Sequence, residues 1–253
     1  MPASHQDRVA VVTGAARGIG QAVCRQLAER GATVVAVDLN EADETLAQLE
    51  SAGHKATGFV ADVSDPEQTR AVGDEVRQQY GRCDILVNNA GIYPFFDIDD
   101  LDYDTWRRVL AVNLDSQFLM TKAVLPLMKQ TGWGRIVNLT SNSIGLAVPG
   151  LCHYMASKMG AIGFTRALAN DVAAYGITVN AVGPTLSRTP GVLSSIPAEL
   201  QEQVSQGQAI KKIGEADDVV GAILFLTSQD SYFVTGQTIM ADGGLVRQPH
   251  LRF

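Results

Sequence analysis

Tyr154 and Lys158 stand four residues apart in the run Tyr154-Met155-Ala156-Ser157-Lys158, a spacing that places a phenol and an ammonium on one face of a helix. An isolated phenol titrates at about pH 10, and a neighbouring positive charge favours the phenolate. The pair therefore suits general acid/base chemistry near neutral pH, with Lys158 expected to lower the Tyr154 pKa. The same two residues on an unremarked helix are a surface pair, so the elements around them decide between the readings.

Arg8-Val9-Ala10-Val11-Val12 is an apolar run of strand type, followed by Thr13-Gly14-Ala15-Ala16-Arg17-Gly18-Ile19-Gly20 and a helical pattern from Gln21 to Arg30 closed by Gly31. Strand, glycine turn and helix make a phosphate cradle, in which glycine admits a pyrophosphate close to the backbone and the helix start favours its negative charge. Gly14, Arg17, Gly18, Ile19 and Gly20 are the cradle candidates, although a glycine cluster also serves as a plain turn. A second strand, Thr33 to Val37, ends at Asp38. An acid at that position hydrogen-bonds adenosine ribose hydroxyls and repels the extra phosphate of NADP, which favours NAD. Arg17 is able to pair with such a phosphate, and Asp38 is also a suitable turn or cap residue ahead of a helix at Glu41 to Glu50.

With Asp62-Val63, Asn88-Asn89-Ala90-Gly91, Asn113, Ser141, Pro184 and Asp242-Gly243-Gly244, these residues resemble the short-chain dehydrogenase/reductases of the compact type over nearly the whole chain. The resemblance implies a role for each. Asp62 and the N–H of Val63 would hold adenine; Asn89, Ala90 and Gly91 would let the cofactor lie against the backbone; Pro184, Ser187 and Thr189 would contact the nicotinamide side. Ser141, thirteen residues before Tyr154, would bind the reacting oxygen, a place for which Thr140 and Ser143 compete on the residues alone. Asn113, in a stretch read as one helix from about Thr105 to Lys129, is either a satisfied core amide or the member whose backbone holds a water against Lys158. In the implied reaction Tyr154 takes the proton of an alcohol while its carbon passes a hydride to NAD, and Lys158 also binds the nicotinamide ribose. The segment Gly183-Pro184-Thr185 departs from the family's Pro-Gly, which weakens the transfer to Ser187 and Thr189.

At 253 residues and 46% hydrophobic content, without linker or low-complexity tract, the chain reads as one domain, 1–253. Strands near 8–12, 33–37, 56–61, 84–87, 134–140, 177–182 and 237–241 alternate with helices, so the expected class is α/β: a Rossmann-like doubly wound parallel sheet of about seven strands with helices on both faces. A net charge of −7 and the lack of a Lys/Arg stripe argue against nucleic acid and anionic membranes. The short polar start Met1 to Asp7, and apolar segments too short to span a bilayer, predict a cytoplasmic protein. Cys24, Cys83 and Cys152 show no paired spacing, and the four histidines show no metal-ligand pattern.

Ile92 to Phe96 and Ile144 to Leu151 are candidate walls of an apolar substrate pocket, with Tyr93 and Ser143 among its contacts and Val192, Leu193 and Ile196 as its lid. Core or subunit packing is the competing use of these side chains. The stretches Gly81 to Pro94, Gly132 to Ser141 and Gly236 to Arg247 are similar to the 1-phenylethanol dehydrogenases, which implies a small hydrophobic secondary alcohol or ketone; pyridoxal 4-dehydrogenase-like and monoterpene alcohol substrates suit the same shape. An NADPH-dependent β-ketoacyl carrier-protein reductase is the rival enzyme, and Asp38 speaks against it. A non-catalytic NAD-sensing module is the rival from another class, which the presence of Ser141, Tyr154 and Lys158 disfavours. The resemblance also implies a homotetramer formed through the helices carrying Asn113 and Tyr154 and through the last strand, with Leu245 to Phe253 reaching a neighbouring subunit.

Overall fold

The computed structural model describes residues 4–246, so the expectation for the far carboxyl-terminal residues lies outside the described region. Its strands are β1 (Val9–Thr13), β2 (Thr33–Asp38), β3 (Ala56–Val60), β4 (Ile85–Asn88), β5 (Gly134–Leu139), β6 (Ile177–Pro184), the short β7 (Ser187–Arg188) and β8 (Gly214–Glu215), and β9 (Thr238–Ala241). Seven form one sheet in the order β3-β2-β1-β4-β5-β6-β9, all pairs parallel. Val11, Val35, Leu86 and Val179 are wholly buried. Such continuous apolar runs, rather than alternation, belong to strands covered on both faces.

The covers are α1 (Gly18–Ala28), α2 (Asp43–Ser51), α3 (Pro66–Tyr80), α5 (Ser116–Thr131), α6 (Cys152–Val172) and α9 (Ala216–Thr227), with α4 (Tyr103–Leu110), α7 (Pro190–Ser195) and α8 (Ala198–Gly207) above the sheet's carboxyl edge or in its loops. On one face Val23 and Leu27 of α1 and Val220 and Ile223 of α9 pack on the strands. On the other, Val72 and Val76 of α3, Met120 and Val124 of α5 and Val172 of α6 do so. The chain winds outward in one direction through β1, β2 and β3 and in the other through β4, β5 and β6, so the strand order reverses between β1 and β4 and opens a crevice at their carboxyl ends.

The opposite edge is pinned electrostatically. Asp84, wholly buried ahead of β4, accepts from Val9 N at 2.9 Å, from Arg8 at 3.1 Å and from Arg82 at 2.6 Å. The guanidinium groups of Arg8 and Arg135 both lie over the Trp133 ring, 3.7 and 4.3 Å from its centre.

Two elements differ from the sequence reading. The helix after the glycine turn begins at Gly18, not Gln21, so the glycines form its first turn. The stretch read as one helix is α4 and α5 joined by a π-turn at Ala111–Asp115. No Gly or Pro marks that turn; it centres on Asn113, whose side chain is drawn onto the loop after β4.

Candidate active site

The crevice holds a cavity of about 870 Å³ that runs from Asp38 and Asp62, past the glycine turn, to Ser141 and Tyr154, and ends among Leu146, Val148, Leu151 and Val192. Its first wall is largely backbone. A Cβ at Gly20 would stand 2.0 Å from the Gly14 carbonyl oxygen, so only glycine permits the tight start of α1. Thr13 accepts the N–H groups of Asn89 and Ala90 on its hydroxyl, and the Asn89 amide donates to the carbonyls of Thr13 and Gly14, which locks the β1 and β4 loops together.

Asp38 closes this wall. Its carboxylate accepts the N–H of Ala16 at 3.0 Å and of Asn40 at 3.0 Å, so it is a turn residue as well as a charge facing the cavity. Asp62 accepts from Ser64 N–H and hydroxyl, with Val63 beside it on the wall. Pro184, Ser187 and Thr189 line the far side, where Thr189 also caps α7 through Val192 N–H. Arg17, Gly18, Ile19 and Gly91 line it too. Gly20 and Asn113 are absent from that lining and support it from behind.

The chemical end is built from β5 and α6. Ser141 follows β5, accepts the Ser143 N–H at 3.1 Å and shares the cavity wall with Tyr154. Thr140 is removed as its competitor, because its hydroxyl donates to the Lys158 carbonyl at 2.8 Å. Lys158 is buried and donates from Nζ to the Leu139 carbonyl at 2.9 Å. A Cβ on Gly91 would lie 3.2 Å from Asn113 Oδ1 and 3.4 Å from Lys158 Nζ, so these two groups converge beneath that glycine. The Asn113 amide is fully used: Oδ1 accepts from Ile92 N–H, and Nδ2 donates to the Ile92 carbonyl and the Ser157 hydroxyl.

The electrostatics correct one expectation. Burial raises the Tyr154 pKa above its usual value; the polar Ser141 side chain opposes this and Tyr93 adds to it. Lys158 does not bring the phenol down in this state. Its own ammonium is disfavoured by burial, with a pKa lowered to about 8. A positive charge brought to the cleft is what would tip Tyr154 toward phenolate.

The substrate wall is only partly the expected one. Ile92, Tyr93, Phe95, Leu146, Val148, Leu151, Val192 and Ile196 line it, and Tyr93 meets the Tyr154 ring edge-on at 6.3 Å. Phe96 turns away and packs on buried His153 at 6.2 Å. Leu193 faces outward, 55% exposed, because on α7 it lies one position past the inward Val192. Leu200, Val204, Leu245, Asn142 and Arg108 were not anticipated on the wall. The four-residue spacings Leu200/Val204 and Arg108/Val112 carried a helical signal for most of them.

The family model described as "Enoyl-(Acyl carrier protein) reductase" matches residues 14–246. The chain is a short-chain dehydrogenase/reductase. This short-chain dehydrogenase/reductase is 39% identical, over 96% of its length and 98% of the relative, to a cis-4-hydroxycyclohexanecarboxylate dehydrogenase of Sinomonas cyclohexanicum. It is 38% identical, over 95% and 98%, to a 3-oxoacyl-(acyl-carrier-protein) reductase of Thermotoga maritima. A solved structure from Burkholderia xenovorans, described as of the same family, superposes with a TM-score of 0.92 at 36% identity, covering 98% of this chain and 99% of that one. The family is one of oxidoreductases with a nicotinamide dinucleotide cofactor, and the glycine cradle and elongated cavity fit such a molecule. Among the described residues no helix is long and apolar enough to cross a membrane.

Proposed function

We propose that the protein interconverts a hydrophobic secondary alcohol and its ketone with NAD. The observation that carries this reading is that Ser141, Tyr154 and Lys158 line the apolar end of one cleft whose other end presents the Asp38 carboxylate. Bound there, the dinucleotide would supply a hydride acceptor and, when oxidised, a positive ring. Ser141 and Tyr154 would hold the reacting oxygen between them, and Tyr154 would accept its proton as the carbinol C–H bond breaks. Lys158, fixed on the Leu139 carbonyl beside Asn113 and Gly91, would orient the ribose and keep a proton path open on the side away from substrate.

Asp38 supports NAD over NADP, since a carboxylate and a phosphate repel at short range. The alicyclic hydroxy acid named for the Sinomonas relative supports a compact secondary alcohol, and so does the apolar lining. The Thermotoga relative favours the carrier-protein reductase as the second reading. Purified protein is to be assayed with NAD and NADP against aryl, alicyclic and terpene secondary alcohols, and with NADH and NADPH on an acetoacetyl thioester. NAD-dependent oxidation lost on Tyr154→Phe is the expected result; a strong NADPH preference on the thioester overturns the reading. We also propose a homotetramer, supported by Phe118 and Met159 exposed on α5 and α6 and by Phe225, Tyr232 and Phe233 before β9. Sedimentation as a stable monomer would refute it.

A further inference from the structure

Gln208 ends α8 and is only 2% exposed. Its side-chain amide has three partners. Oε1 accepts the Thr185 hydroxyl at 2.9 Å, and Nε2 donates to the carbonyls of Ile210 at 3.1 Å and Lys212 at 2.6 Å. The segment after β9 lies on the same amide: the Gly243 carbonyl accepts the Ile210 N–H at 2.9 Å, and a Cβ at Gly243 would stand 3.1 Å from Gln208 Nε2. That segment is braced from within, because the buried Asp242 carboxylate accepts the N–H groups of Gly244 and Val246 at 3.0 and 2.7 Å.

Three stretches remote in sequence therefore meet at one buried side chain, and each supplies part of the cavity wall. Thr185 lines it from the loop after β6, Leu200 and Val204 from α8, and Leu245 from the segment after β9. Because α8 makes only sparse contacts with other helices and strands, its place over the cleft depends on how its ends are held. At the carboxyl end the Thr185 hydroxyl ties it to the sheet, and the Thr185 N–H is itself held by the Ala241 carbonyl of β9 at 3.2 Å. A glycine there, the residue of the family pattern, would have no hydroxyl to give. We propose that Thr185 and Gln208 are positioning residues, whose hydrogen bond holds Leu200, Val204 and Leu245 against the alcohol and sets its affinity without taking part in the hydride step. This rests on the proposed alcohol dehydrogenase reading and adds to it residues away from the reacting atoms.

Thr185→Val keeps the shape and the main-chain bond but leaves Gln208 Oε1 buried without a donor; Thr185→Ser keeps the hydroxyl, and Gln208→Met removes the other end of the bond. Kinetics with NAD and 1-phenylethanol or cyclohexanol, with NAD binding by calorimetry, separate the steps. KM for the alcohol should rise at least about tenfold in Thr185→Val and Gln208→Met, with kcat and the NAD Kd each within about twofold of the parent. Thr185→Ser should recover most of the loss, and adding Thr185→Val to Gln208→Met should change little further. A mere loss of folded protein would lower kcat and leave KM alone. Hydrogen exchange of the NAD-bound protein reads the tie without turnover: amides in 199–212 and in 242–246 should both exchange faster in Thr185→Val. An unmoved KM, a kcat or NAD Kd that moves as far as KM, or faster exchange in only one of the two segments overturns the inference. A parent inert toward both alcohols, with the exchange difference present in both segments, instead overturns the alcohol dehydrogenase reading.

Discussion

Replacing Lys158 by Met should make the protein more stable at neutral pH while removing its activity. Lys158 is 3% exposed, and its ammonium bonds to the Leu139 carbonyl, with no carboxylate paired to it among the described residues. Burial lowers its pKa from 10.5 to about 8, so keeping it charged in the folded state costs roughly 3 kcal/mol. Methionine fills a similar volume without a charge and forfeits one hydrogen bond worth about 1 kcal/mol. The net gain at pH 7 is then about 2 kcal/mol, or a Tm rise of about 4 to 8 °C for a chain of this size.

The pH dependence has a definite sign. Between pH 8 and 10.5 the unfolded chain binds a proton on Lys158 that the folded chain has released, so the parent gains stability with rising pH across that window and the charge penalty is gone above it. Urea unfolding of parent and Lys158→Met at equal protein concentration, at pH 7 and at pH 10.5, measures the difference directly. The variant should lead at pH 7 and lose its lead by pH 10.5. A variant that is the less stable of the two at pH 7, with an unchanged m value, would refute the idea that an uncompensated ammonium is held there.

Asp38→Asn keeps one acceptor for the Ala16 or Asn40 N–H but removes the charge; kcat/KM for NAD should fall about 10- to 100-fold and the NAD/NADP ratio with it, and steady-state kinetics giving an unchanged ratio would contradict the assignment. Gly20→Ala forces a Cβ to within 2.0 Å of the Gly14 carbonyl, so the dinucleotide Kd measured by calorimetry should rise at least about tenfold; unaltered affinity would show that the cradle is elsewhere. Asp84→Ala strips partners from Arg8, Arg82 and Val9 N–H at the edge opposite the cleft. It should cost about 2 to 4 kcal/mol in urea unfolding with little change in KM.

The central strands were legible because strands covered on both faces are rich in buried Val, Ile and Leu, as in β1, β2 and β4, and each expected strand lay within a residue or two of the observed one. Tyr154 and Lys158 stood out by their helical spacing, and the glycine turn and the motifs around them decided the reading. The π-turn at Asn113 was not, since its cause is a contact with Ile92, twenty-one positions earlier, rather than any local breaker. The direction of the Tyr154 pKa was missed for a similar reason: spacing shows that a lysine is near, but only the folded surroundings show that burial outweighs it. Leu193 and Phe96 were misplaced because a short apolar cluster does not reveal which of its members faces inward.

The two sides of the cleft are made of different material. Where the dinucleotide would lie, the surface is mostly peptide groups held by Thr13, Asn89 and Asp38; where the second reactant would lie, it is side chains from short, separate pieces of α7, α8 and the turn after Ser141. Exchanging residues on the latter leaves the former's shape intact. Drift in such a chain would therefore change which molecule is oxidised long before it changed how, and an engineer could treat that half as a replaceable die in a fixed press.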